Sequence, residues 1–323
     1  MWEREEDRLA LLELLERGRL RRRSSQVEVW TILDQLPWTR RTGRRDEIEL
    51  VPDERTSITE LLNRVWPSWQ VERQALAARQ LNPTPNDWRR LQDLLRAQDV
   101  PVLPARLNLR TAASSVAPHS KAGLSSVRRA ALGETVTTRD GIVRLRPPPG
   151  LLFMRDGKEL DAASIARVLG EVAITERALL DGTTLKGAVR AVLLVENLGP
   201  YQDLVSPQGW LIAHVPGWNT ATVCSFLRLL PGVPIIHFGD LDAAGVRIVR
   251  HLQQLHPALK WAVPYFWREY IDKRALVGVW PEELNLTGVP PLVLELAQRG
   301  LWLEQEAIVV DARLPQSLVD IAD

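Results

Sequence analysis

The run Ile235-Ile236-His237-Phe238-Gly239-Asp240-Leu241-Asp242-Ala243-Ala244-Gly245 decides the fold class. Its mostly apolar start predicts a buried strand, and the glycine with two aspartates predicts a turn. Beyond the turn, Val246, Val249, Leu252 and Leu255 recur at helical spacing. An earlier apolar run, Ala191 to Val195, also ends on a charge, Glu196. Trp210–Val215 reads as another strand. The helix after it takes Asn219 or Thr220 as cap and turns Val223, Phe226, Leu227 and Leu230 inward. Leu259–Phe266 reads as a fourth strand. Short apolar strands alternating with helices predict an α/β domain on a parallel sheet with flanking helices.

Carboxylates at the carboxyl ends of parallel strands point into the crevice where such sheets bind ligands. An aspartate at a strand-to-helix turn is often only an N-cap. Asp242 suffices as cap of the helix starting near Ala243, which leaves Asp240 without a structural task. Glu196 leads into the loop Asn197 to Tyr201 rather than a solvated helix face. A charge at the end of a Val/Leu run is costly unless it is paired or metal-bound. Glu196, Asp240 and Asp242 are therefore expected to hold a hard divalent cation, Mg²⁺ or Mn²⁺, through oxygen.

A glutamate after the first strand and Asp-x-Asp after the third resembles the pattern of the Toprim domain, shared by topoisomerases, primases and several nucleases. Gly239 to Gly245 further resembles the signature of the JetD subunit of Wadjet plasmid-defence systems. That family is similar to the A subunit of topoisomerase VI, a winged-helix domain followed by Toprim. Val195-Glu196-Asn197 matches its Glu-Asn start, and Ile271-Asp272-Lys273-Arg274 its Met-Asp stretch. Leu303-Glu304-Gln305-Glu306-Ala307-Ile308 resembles its C-terminal Leu-Glu-Gln-Glu-Arg-Ile segment, with Ala307 where the family usually has arginine. His119-Ser120-Lys121 resembles a Ser-Lys element upstream. The resemblance implies that Glu304 or Glu306 lies near the metal. It implies a metal-dependent endonuclease that cleaves double-stranded plasmid DNA, working as a homodimer with an SMC-kleisin type motor complex.

The topoisomerase relatives cut DNA with a tyrosine of the winged-helix domain. Here the tyrosines are Tyr201, Tyr265 and Tyr270, and none precedes residue 201. The expected chemistry is hydrolysis with metal-activated water. Glu196 as ligand, general base or both stays open. Two other readings are a different Toprim-class hydrolase acting on RNA or on ends, and a non-catalytic DNA-binding assembly subunit with a degenerate metal site.

At 323 residues the chain predicts two or three domains. Its formal charge of +1 requires any DNA-binding surface to be local. One cysteine, Cys224, predicts a small buried side chain and permits no internal disulfide, which suits a cytoplasmic protein. No apolar run approaches the roughly 18 residues of a membrane span. The five histidines lack ligand spacing, so zinc is not expected.

Residues 1–99 read as a helical, winged-helix-like arm. It holds helices near 3–17, from Ser25 and near 86–98, an arginine-rich ribbon from Trp38 to Val51, and a capping box at Ser57-x-x-Glu60. Residues 100–185 read as a second winged-helix-like, DNA-binding domain. A helix from about Ser120 to Leu132 carries Arg128 and Arg129, and a hairpin over Thr135–Val143 turns at Asp140-Gly141. Lys121, Arg128, Arg129, Arg139, Arg144 and Arg146 are expected to track the phosphates; the plain alternative is a solvated arginine face. Pro147 to Gly150 marks a stiff boundary, and helices near 162–169 and 172–180 lead to the Toprim-like domain, 186–323.

Overall fold

The computed structural model describes residues 2–216 and 220–323. The chain divides into two compact units, Met1–Thr137 and Thr138–Asp323. The division falls inside the region 100–185 that the sequence assigned to one domain.

The first unit is mainly helical. Its central helix, α1 (Glu5–Arg17), has three acids in its first turn, Arg17 in its last, and Gly18 at φ 66° closing it onto the Leu14 carbonyl. Leu9, Leu11, Leu12, Leu14 and Leu15 are all buried. Strand β1 (Arg19–Arg21), helix α2 (Val27–Leu33) and strands β2 (Thr39–Arg41) and β3 (Glu47–Leu50) follow. The strands form an antiparallel sheet in the order β1-β3-β2, which is the expected ribbon with one strand added. Helix α3 (Arg55–Val65) begins before the expected capping box, because a 3-10 turn at Pro52–Glu54 already starts it. Ser57 therefore sits inside the helix, its hydroxyl donating to Glu54 Oε2. Helices α4 (Trp69–Ala77) and α5 (Pro85–Gln98) complete the core with Trp69, Trp88 and Leu91.

Strand β4 (Arg106–Asn108), helices α6 (Leu109–Val116) and α7 (Ser126–Ala131) and strand β5 (Val136–Thr138) end this part. Helix α7 is shorter than predicted because Ser125 caps it, accepting from the Arg128 N–H. The expected hairpin at Asp140-Gly141 does not form. β5 pairs with β4, while the next strand, β6 (Ile142–Arg146), joins a different sheet. There β6 has neighbours on both sides and buries Val143 and Leu145 completely, which a two-stranded hairpin cannot do.

The second unit is mixed α/β. After β6 come β7 (Leu152–Arg155), β8 (Lys158–Asp161), α8 (Ala162–Leu169), β9 (Val172–Thr175), α9 (Glu176–Leu180) and β10 (Thr184–Lys186). Next come β11 (Ala191–Val195), α10 (Leu198–Asp203), β12 (Trp210–His214), α11 (Ala221–Leu227), β13 (Ile235–Phe238), α12 (Ala243–Leu255) and β14 (Lys260–Trp261). The chain ends with α13 (Ile271–Arg274), β15 (Leu276–Val277), α14 (Pro291–Gln298), β16 (Leu301–Trp302) and α15 (Leu314–Ala322). Residues 172–175, expected in a helix, alternate buried and exposed and form β9. β14 is shorter than predicted; Pro264 leads into a 3-10 turn at Tyr265–Tyr270. Asn219 lies outside the described residues, and Thr220 precedes α11 without a side-chain cap bond.

The main sheet runs β14-β13-β11-β12-β6-β9. Its first four strands pair in parallel, while β6 pairs antiparallel with both β12 and β9, so the expected parallel sheet is partly mixed. Both faces are covered. Leu193, Val195, Ile236 and Phe238 face Tyr201, Phe266, Trp267 and Leu296. Val192, Leu194, Leu211 and Ala213 face Phe226, Ile248, Val249 and Leu252. This is why the central strands read as unbroken apolar runs.

Candidate functional site

Strands β11 and β13 lie side by side, Val195 opposite Phe238. Glu196 and Asp240 therefore leave the sheet at adjacent carboxyl ends, and the Glu196 N–H donates to the Phe238 carbonyl at 3.1 Å. Asp242 is the cap of α12, its Oδ1 accepting the Gly245 N–H at 2.6 Å. A bridge between Leu241 and Leu303 brings the 303–306 segment alongside. The Gln305 N–H donates to Asp240 Oδ1 at 2.8 Å. Asn197 Nδ2 donates to Asp240 Oδ2 at 3.3 Å and to both Glu306 oxygens at 3.1 and 3.3 Å.

The acids feel one another. Burial pushes the Glu196 carboxyl up to about 7, with further increments from Asp240 and Asp242, opposition from the Asp240 main-chain N–H, and a smaller increment from Glu306. Burial also pushes Asp240 up to about 6; the Gln305 and Asn197 donors oppose this, and Glu306 and Asp242 reinforce it. No cationic side chain is among the causes acting on either group. Among the described residues Glu196 Oε2 is buried without a hydrogen-bond partner. Carboxylate oxygens that push one another's pKa up are the donor type a hard divalent cation takes. Glu196, Asp240, Asp242 and Glu306 are the residues that would hold it. Among the described residues no three His, Cys, Asp or Glu side chains form a preassembled cage. Asn197 and the Gln305 N–H currently occupy both Asp240 oxygens. Glu304 is exposed at the start of the 3-10 turn Gln305–Ala307.

The arginines expected to contact DNA have varied surroundings. Arg128 is bound to Asp93 at 2.6 and 2.9 Å and to the Gly123 carbonyl, with only 15 % of its side chain exposed. Arg144 pairs with Glu171 at 2.8 Å. Arg146 donates to the Tyr201 and Leu204 carbonyls at the end of α10. The Arg139 N–H, with that of Gly141, is held by Glu176 Oε2, while its side chain is exposed. Arg129 is exposed and donates weakly to the Leu124 carbonyl, and Lys121 is exposed. Lys121, Arg128 and Arg129 belong to the first unit, and Arg139, Arg144 and Arg146 to the second.

Sequence reasoning read Asn197 only as part of a motif and missed its bridge between acids. It also missed the Gln305 main-chain donor, which no side-chain pattern announces. His237, in the strand before the aspartates, is wholly buried, its Nε2 3.8 Å from Glu196 Oε2.

Residues 145–262 match the family model of the C-terminal part of the Wadjet protein JetD. This span carries Glu196, Asp240 and Asp242, and the match supports identification of the chain as a JetD subunit with a role in Wadjet defence. No curated protein matches the chain. Among the described residues no helix is long and apolar enough to cross a membrane.

Proposed function

We propose that this chain is the nuclease subunit of a Wadjet-type complex, a Toprim-class endonuclease that hydrolyses double-stranded plasmid DNA with Mg²⁺ or Mn²⁺. The observation that carries the reading is the pair Glu196 and Asp240 at adjacent strand ends, with Asp242 and Glu306 near enough to push their carboxyls up further and no cationic side chain among the causes acting on them. The chemistry a hard divalent cation supplies at such a site is Lewis-acid activation of a phosphodiester and of water. Asp240 and Asp242 would contribute oxygens from one turn, one braced by the Gln305 N–H and the other by the Gly245 N–H. Glu196, at the end of β11, would serve as ligand, as the base that takes a proton from an attacking water, or as both.

A tyrosine nucleophile is not part of this reading. Tyr201 is fully buried, and burial raises its hydroxyl well above the ordinary tyrosine value. Tyr270 donates to Asp311 at 2.9 Å. A homodimer belongs to the proposal, because cutting both strands calls for two sites related by a two-fold axis, and the resemblance to the JetD family adds an SMC-kleisin partner.

The lack of a preassembled cage favours one rival, an assembly subunit with a degenerate site. Plasmid transformation in cells carrying the complete defence system decides between them. Wild type is expected to depress transformation, and Asp240→Asn to restore it while the protein accumulates normally. Undiminished defence by Asp240→Asn overturns the catalytic reading.

A further inference from the structure

Three buried polar atoms without hydrogen-bond partners meet at one place beside the acids: Glu196 Oε2 and His237 Nδ1 and Nε2. Such atoms are rare in native proteins, and each calls for an explanation. The sheet register brings them together. Leu194 on β11 lies opposite His237 on β13. Side chains alternate between faces, so Glu196, two residues beyond Leu194, emerges on the same face as His237. The other residues of β13 are Ile235, Ile236 and Phe238, so His237 is the one polar side chain on an apolar strand.

Nε2 of His237 stands 3.8 Å from Glu196 Oε2. A hydrogen bond needs about 2.7–3.2 Å, so the carboxylate has to move by less than about 1 Å to accept one. Gly239 leaves the intervening space open. A Cβ on that residue would lie 2.5 Å from Glu196 Oε2 and 2.7 Å from His237 Nε2.

We propose that His237 is a positioning residue for Glu196: its Nε2–H donates to Oε2 across the gap beside Gly239, leaving Oε1 to face the acid cluster. The neutral imidazole is sufficient, with Nε2 as donor and Nδ1 bare. Ligating carboxylates are commonly oriented by such outer partners, whose loss weakens metal binding about 10–100-fold. The inference rests on the metal reading above, and it adds that Glu196 is aimed from behind.

The test is Mn²⁺ titration of the full chain, followed by paramagnetic resonance of free Mn²⁺, with thermal melting as a control. His237→Gln keeps a donor near the Nε2 position; His237→Met fills the volume without one. Expected are about tenfold or greater loss of affinity in His237→Met, affinity close to wild type in His237→Gln, and a loss in Gly239→Ala like that of His237→Met. Folded His237→Met that binds as wild type overturns the inference, as do equal losses in His237→Gln and His237→Met. If His237→Met does not fold, Gly239→Ala decides, and unchanged affinity there overturns it. Wild type without saturable Mn²⁺ binding overturns the metal reading itself, a failure seen before any variant is compared.

Discussion

Asn197 Nδ2 donates to Asp240 Oδ2 at 3.3 Å, joining two residues 43 apart in the chain. The same amide reaches Glu306, so one neutral side chain holds two carboxylates that would otherwise repel. Asn197→Ala is expected to cost no more than about 1.5 kcal/mol of stability. It is also expected to reduce plasmid cleavage at least about tenfold, by analogy with loss of an outer ligand-orienting group. Urea unfolding beside a cleavage assay checks both; normal cleavage by the variant would mean that the bridge is structural only.

The raised carboxyls set a direction for stability against pH. Glu196 rises from the ordinary 4.5 to about 7, and Asp240 from 3.8 to about 6. The folded state then holds protons more tightly than the unfolded state. The stability this contributes is complete below the unfolded values and is lost as pH climbs through the folded ones. The metal-free chain is expected to lose more stability between about pH 4.5 and 7 than Glu196→Gln does. Added Mg²⁺ is expected to stabilise wild type more at the upper end of that window, since it binds the ionised acids. Parallel pH curves for the two proteins would contradict this.

Asp242 has two tasks that substitution can separate. Its Oδ1 caps α12. Asp242→Ala is expected to lose about 0.5–2 kcal/mol, the usual cost of a missing cap. Asp242→Ser is expected to regain most of that stability while remaining unable to cut DNA. Cleavage by the serine variant at wild-type rate would remove Asp242 from the metal set.

Arg128 is expected to be a poor probe of DNA binding. It and Asp93 are both mostly buried, with 15 % and 11 % of their side chains exposed. Arg128→Ala leaves Asp93 without its partner and is expected to cost on the order of 3 kcal/mol. The exposed Lys121 and Arg129 are the better test. Each lost phosphate contact lowers the slope of log affinity against log salt by about 0.9. An unchanged slope in the Lys121→Ala, Arg129→Ala double variant moves the DNA path away from these two residues.

Much of the second unit could be read from local pattern. The strand Ala191–Val195 has the bounds expected of it, and Ile235–Phe238 and α12 fall within a residue of theirs. Continuous apolar runs and an aspartate before a helical repeat are signals carried by neighbouring residues. Asp242 as cap belongs to the same class. What the residues could not reveal was where β6 and β9 would go. Thr135 to Val143 has the composition of a hairpin, yet Ile142–Arg146 pairs with Trp210–His214, far along the chain. The reason is burial: an apolar strand gains more between two partners in a covered sheet than at the edge of a ribbon.

The same division runs through the site. Sequence by itself determined which acids end the strands, Glu196, Asp240 and Asp242, because strand and turn propensities are local. Only the tertiary structure decided that Asn197 would bridge Asp240 to Glu306, that a main-chain N–H at Gln305 would brace Asp240, and that Arg128 would turn inward to Asp93. Those contacts join residues brought together by sheet register and helix packing. Their worth depends on burial, which raises the cost of an unpaired charge and which no stretch of sequence can report alone.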